Sequence, residues 1–229
     1  MKYSWILFDA DGTLFDFDTA AKNALRLTFG NFDLRYEDHY LAIYEKINRQ
    51  FWRDFEAGLV SPTELRSKRF DLLFAALDIT CDAQAFGERY LANLSANSDL
   101  LAGAEDVVKE LASRAKLMMI TNGLLEVQRP RFARTTIRPY FEDFVISEEV
   151  GSAKPHAEIF AAAFRLMGSP EKSEVLIVGD SLSSDIQGGI NYGIDTCWYN
   201  PARKSREGNL EIQYEITCLS ELLELPSEG

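Results

Sequence analysis

The chain is poor in the residues that build soft-metal centres and disulfide frameworks. Its 229 residues include three cysteines, Cys81, Cys197 and Cys218, and two histidines. The cysteines are odd in number and far apart, and no Cys-x-x-Cys pair occurs. That predicts reduced, packed thiols in a cytoplasmic protein and no disulfide scaffold. No apolar run approaches the roughly 18 residues that a membrane-spanning helix needs. One lysine and a few apolar residues precede Asp9, too short a segment for a secretory signal. Positive charge is also scarce: 24 Lys and Arg stand against 36 Asp and Glu, for a net charge of −12. Such a chain is unsuited to nucleic-acid polymers and anionic membranes, which attract basic patches. A small anion remains a possible partner, because a local cation can outweigh the overall field. Internal repeats and low-complexity tracts are absent.

What the chain does have is a series of short apolar runs separated by helical patterns. At this length it can bury a sizeable core as one large domain, or as a domain with an insert. Strands are predicted at Trp5–Phe8, Leu117–Ile120, Phe144–Ile146, Val175–Val178 and Thr196–Tyr199. Helical spacing appears at Val107, Val108 and Leu111, and again at Ile159, Phe160, Ala163 and Met167. Alternation of this kind predicts an α/β fold: a Rossmann-like parallel sheet covered on both faces. In such sheets the active site lies at the carboxyl ends of the strands. Three polar clusters stand there, Asp9/Asp11, Thr121-Asn122-Gly123 and Gly179-Asp180-Ser181.

Between the first two strands the pattern changes. Tyr40, Ile43, Tyr44, Ile47 and Phe51 mark one face of a helix that Gly58 can end. Ser61-Pro62-Thr63-Glu64 has the form of a capping box with Pro in the first turn. Phe70, Leu73 and Leu77 continue that helix, and Phe86, Tyr90 and Leu94 mark another. This predicts an all-helical insert over residues 16–97 in a core made of residues 1–15 and 98–229. Phe15-Asp16-Phe17-Asp18 and Ser95-Ala96-Asn97-Ser98 are the expected hinges. Ser220–Leu225 reads as a short closing helix.

Asp9-Ala10-Asp11-Gly12-Thr13-Leu14, directly after the first apolar run, is the most informative segment. Alternation along a strand would point Asp9 and Asp11 the same way. Two such carboxylates repel unless a cation, a raised pKa or a reaction uses them. Asp-Gly is also a common turn, so the segment alone leaves both readings open. Asp180 and Asp185 bring the carboxylates to four against one lysine, Lys154, a net of −3 in one crevice. That charge calls for a divalent cation, and an all-oxygen set without His or Cys selects Mg²⁺ over zinc. The Thr121 hydroxyl and the Asn122-Gly123 amides are suited to phosphate oxygens. Lys154 adds fixed positive charge, and Pro155 is expected to open the next helix. Phosphate, metal and paired carboxylates together describe a phosphoryl-transfer site.

These residues resemble the four motifs of the haloacid dehalogenase superfamily, in order: Asp9-Ala10-Asp11-Gly12-Thr13, Thr121, Lys154 and Gly179-Asp180-Ser181 with Asp185. The resemblance covers the whole chain. It implies that Asp9 attacks phosphorus to form an aspartyl phosphate. It implies that Asp11 protonates the leaving alcohol and then activates water. Mg²⁺ would be held by Asp9, the Asp11 main-chain carbonyl and Asp180, with Asp185 close by. The insert resembles the family's helical cap, and Gly123–Ala153 leaves no room for a second one.

Within the family the chain is similar to pyrimidine 5′-nucleotidases. The residues concerned include Val145-Ile146-Ser147-Glu148-Glu149-Val150-Gly151, Gly188-Gly189-Ile190-Asn191, and the segment around Trp52, Asp54, Gly58 and Arg69-Phe70. It departs at Ala102, where relatives commonly carry Pro. The implied partner is a small phosphorylated metabolite such as a nucleoside monophosphate. A sugar phosphate, phosphoglycolate or a non-enzymatic phosphoaspartate switch are the alternatives. Trp52 and Phe55 have two readings, as core aromatics or as a stacking surface for a nucleobase. His39, His156, Lys22 and Arg26 are read as structural or solvated.

Overall fold

The computed structural model describes residues 2–206 and 210–225. The chain forms two compact units. The first comprises Met1–Asp16, Asp99–Leu125 and Phe132–Gly229; the second comprises Phe17–Ser98 and Glu126–Arg131.

The first unit is built on β1 (Trp5–Phe8), β2 (Lys116–Thr121), β3 (Phe141–Ile146), β4 (Val175–Gly179), β5 (Asp195–Tyr199) and β6 (Tyr214–Ile216). All pairings are parallel, in the order β3-β2-β1-β4-β5-β6. Side chains of β1 alternate between the two faces. Ile6 and Phe8 pack with Val107, Val108 and Leu111 of the helix Ala104–Leu111 and with Leu219 and Leu222 near the C-terminus. Trp5 and Leu7 pack on the other face with Ile159, Phe160 and Ala163 of the helix Ala157–Leu166. Each of these large apolar side chains contributes about 1.5–3 kcal/mol by leaving water. Both faces are therefore covered, as the continuous apolar runs require.

Five of the six strands coincide with the runs named above. The sixth, β6, was not anticipated: it has three residues, with Glu215 at its centre, and pairs with β5. Pro155 does not open a helix. It lies in the turn before Ala157, with His156 at the N-cap. The closing segment is a 3₁₀ helix, Leu219–Glu224, whose first turn is held by Glu221.

The second unit is helical: α1 (Phe17–Asn31), α2 (His39–Glu56), α3 (Pro62–Leu77), α4 (Ala83–Ser95) and the middle of α6 (Leu125–Arg134), counting Ala104–Leu111 as α5. Ser61 and Glu64 close the expected capping box, and Gly58 takes a left-handed φ of +71° just past α2. Tyr44, Phe70, Phe86 and Tyr90 interlock at ring separations of 5.2–5.7 Å. Residues 126–131 are tied to this unit: Arg66 clamps the Glu126 carboxylate with two 2.6 Å hydrogen bonds, and Arg131 donates to the Asn97 carbonyl. Cys81, Cys197 and Cys218 are all free. No helix among the described residues is long and apolar enough to cross a membrane.

Candidate active site

The carboxyl ends of β1, β2 and β4 bring six of the candidate residues together in the first unit. Asp9 follows β1, and its amide donates to the Val178 carbonyl of β4. That bond carries Asp9 one position beyond the sheet. Thr121 ends β2, and Asp180 follows β4. Asp185 sits in a wide π-type turn, Leu182–Ile186, where its Oδ2 accepts the Ser181 amide. Turns of this kind recur at functional sites, where they redirect one side chain.

Lys154 is the centre of the cluster. Its ammonium lies 2.5 Å from Asp9 Oδ1, 2.7 Å from Asp185 Oδ1 and 2.9 Å from the Ile120 carbonyl. The side chains of Lys154 and Asp185 are each 1% exposed. Burial alone would push the Lys154 pKa down, but the charges of Asp185 and Asp9 outweigh it and hold it up. Asp9 is shifted upward, by burial first and then by Asp185 and Asp180, with Lys154 opposing. Asp180 is pushed up to about 7 by burial and by Asp185, while Lys154 and Lys204 act to lower it. The cluster is under-compensated: three carboxylates face one buried ammonium.

The oxygens of Asp9, Asp180 and Asp185 lie within 4.8 Å of one another. Asp185 Oδ1 is buried, and its approach to Lys154 is an ion pair without hydrogen-bond alignment. An all-oxygen donor set, excess negative charge and an oxygen short of a hydrogen-bond donor fit a hard divalent cation. Asp11 is half-buried and its carboxyl lies outside this group.

Two glycines make the packing possible. A Cβ on Gly179 would fall 2.2 Å from Asp185 Oδ2. Gly12 has φ +83°, and a Cβ there would sit 3.0 Å from Asp180 Oδ2.

Two side chains have roles that the sequence did not assign. The Asn122 side chain clamps the main chain of Lys154: its amide donates to the Lys154 carbonyl at 2.9 Å and its oxygen accepts the Lys154 amide at 2.8 Å. It therefore places the lysine. Thr13 stood in the first motif without a role. Fully buried, its hydroxyl donates to Asp9 Oδ2 at 3.2 Å and accepts the Asp180 amide at 3.1 Å. Nothing local signals that link, because Asp180 is 167 residues away. The Thr121 hydroxyl accepts the Gly123 amide at 3.0 Å, which leaves its proton to donate elsewhere. Trp52 and Phe55 belong to the second unit. They are half-buried on α2 and meet edge to face at 5.7 Å.

A profile described as haloacid dehalogenase-like hydrolase matches residues 3–193. The pyrimidine 5′-nucleotidase YjjG of Escherichia coli is 35% identical over 225 residues, 98% of each chain. The pyrimidine 5′-nucleotidase PynA of Streptococcus pneumoniae is 35% identical over 98% of this chain and 95% of its own. A crystal structure of the HAD-hydrolase YfnB of Bacillus subtilis, bound to magnesium, superposes with a TM-score of 0.93 at 34% identity. It covers 98% of this chain and 99% of that one.

Proposed function

Because this chain belongs to the haloacid dehalogenase-like hydrolases, we propose that it hydrolyses phosphate monoesters, with pyrimidine nucleoside 5′-monophosphates as its substrates. The observation that carries the reading is Asp9 itself. It is a carboxylate one residue past a central strand, held by Lys154 on one oxygen and Thr13 on the other. Nucleotide preference is supported by similarity to two pyrimidine 5′-nucleotidases along almost the whole chain. The three free thiols suit a reducing, cytoplasmic setting.

The cluster would hold Mg²⁺ through Asp9 and Asp180, with the Asp11 main-chain carbonyl and with Asp185 alongside. When bound, the ion neutralises charge on the phosphoryl oxygens and on the approaching carboxylate. Asp9 attacks phosphorus as the ester P–O bond breaks, giving an aspartyl phosphate. Asp11 donates its proton to the departing oxygen, then accepts one from the water that attacks the same phosphorus. Phosphate leaves and Asp9 is restored. Thr121 and Lys154 stabilise the phosphoryl oxygens, and Asn122 holds Lys154 in register for that task.

The test is phosphate release from UMP, dUMP, TMP, CMP, AMP, a hexose phosphate and phosphoglycolate, with Mg²⁺ and with excess EDTA. Pyrimidine nucleotides should lead the panel, and EDTA should abolish release. Preference for a sugar phosphate or phosphoglycolate would replace the nucleotide assignment. Full activity in EDTA would remove the metal from it.

A further inference from the structure

The register of β4 and β5 pairs Gly179 with Trp198, so the residues after each strand share the edge where Asp180 stands. Trp198 Nε1 donates to the Asp180 carbonyl at 3.0 Å. Two positions further, just past β5, Asn200 is 2% exposed and grips Lys204 twice. It accepts the Lys204 amide at 2.8 Å and donates to the Lys204 carbonyl at 2.9 Å. The same Asn200 amide reaches Glu215 Oε1 at 2.8 Å, and Arg206 binds the other oxygen of that carboxylate at 2.8 Å. Within the turn Arg203 takes a left-handed φ of +51°, a conformation that persists only where its surroundings enforce it. The main chain of Lys204 is thus fixed to the residue that follows β5, and the charge of Lys204 acts on Asp180.

Its side chain is exposed and, among the described residues, has no carboxylate within ion-pair distance. Lys154 is the opposite case. Its ammonium donates to Asp9 and the Ile120 carbonyl and is ion-paired with Asp185. Lys154 thus brings to a phosphoryl dianion a charge already shared with two carboxylates, whereas among the described residues Lys204 shares its charge with none. The dianion also meets a chain with a net charge of −12, which repels it at a distance.

We infer that Lys204 is a substrate-binding cation that captures the phosphoryl dianion at the carboxyl edge of β5. The inference rests on the site's being a phosphate-monoester site, and not on which alcohol leaves. A single favourable charge at the mouth of a crevice acts on encounter and is screened by salt.

The experiment compares Lys204→Ala, Lys204→Glu and Lys204→Arg with Lys116→Glu. Lys116 begins β2 at the opposite edge of the sheet and is exposed, so its reversal changes net charge equally. With p-nitrophenyl phosphate and Mg²⁺, kcat/KM should fall about threefold to tenfold in Lys204→Ala and further in Lys204→Glu, through KM. Lys204→Arg should keep most of it. Competitive inhibition by inorganic phosphate should weaken in parallel. The loss of kcat/KM between about 20 and 200 mM salt should be shallower in Lys204→Ala than in the wild type. If Lys204→Glu matches Lys116→Glu within twofold in both kcat/KM and phosphate inhibition, the inference is overturned. A wild type that cleaves p-nitrophenyl phosphate but no nucleotide would sink the nucleotide assignment and leave this one standing. If no ester is cleaved, calorimetric binding of phosphate decides, and equal affinity in wild type and Lys204→Glu refutes it.

Discussion

Replacing Lys154 by methionine keeps the length of the stem and deletes the ammonium that bridges Asp9 and Asp185. Its contacts are 2.5 and 2.7 Å long. At an effective dielectric constant of about 20, each is worth roughly 6 kcal/mol of attraction before desolvation. Burial of all three groups cancels most of that, and breaking a buried pair by removing one partner costs about 3–5 kcal/mol. For a chain of this size that corresponds to a fall in Tm of roughly 6–20 °C. The melt is run in EDTA, so that no metal substitutes for the lost charge. The deficit has a definite pH dependence. Asp180 has a folded pKa of about 7 against an ordinary 3.8, raised by burial and then by Asp185. A carboxyl raised in this way binds its proton more tightly when folded, so stability falls as pH rises through that window. Without Lys154 the repulsion is stronger, so the variant's deficit should be larger near pH 8 than near pH 5, by about the amount that protonating Asp9 and Asp180 relieves. Turnover of p-nitrophenyl phosphate with Mg²⁺ should drop about 10²–10³-fold. A Tm within about 2 °C of wild type in EDTA, or a deficit that grows on acidification, would refute the reasoning.

Asp9→Asn should lower kcat by several orders of magnitude while the protein still melts cooperatively, because an amide is not a competent nucleophile; turnover within tenfold of wild type would remove Asp9 from that role. Asp11→Asn should lose about 10²–10⁴ in kcat on nucleotides. It should still show a burst with p-nitrophenyl phosphate, whose leaving group needs no acid; rapid-quench kinetics without that burst would contradict the acid–base assignment. Trp52→Ala should cost nucleotides about 5- to 150-fold in kcat/KM, the worth of a stacked base, and p-nitrophenyl phosphate much less. Equal losses on both substrates with a lowered Tm would return Trp52 to the core.

Much of the fold was legible because the first unit's strands are buried on both faces. Trp5–Phe8 and Val175–Gly179 show no polar alternation, and such runs are visible in one dimension. The strand Tyr214–Ile216 is not, since three residues around Glu215 have no period to read. The residue types at the site were also legible, because an excess of carboxylates beside turn residues is a local signal. Their division of labour was not. Asn122 was read only for its main-chain amide, and the hold of its side chain on Lys154, 32 residues away, carried no local signal. Thr13 joins two aspartates from opposite ends of the chain, and only tertiary structure shows that hydroxyl between them. The Asp11 carboxyl is not in the group formed by Asp9, Asp180 and Asp185, which only the tertiary positions of those three show.

The second unit is not one uninterrupted insertion. Glu126 and Arg131, from the middle of α6, are bound to Arg66 and Asn97, and Gln128 and Arg131 are buried at 2% and 0% exposure. A gene fusion that removed residues 17–98 and sealed the flanks would take Arg66 from Glu126 and the Asn97 carbonyl from the buried Arg131. Transplanting the helices onto a sister scaffold therefore has to carry the α6 codons as well. Recombination with break points only at 16/17 and 98/99 would join halves shaped for different partners. A chimaera with Glu126–Arg131 from the donor should melt higher than one without them.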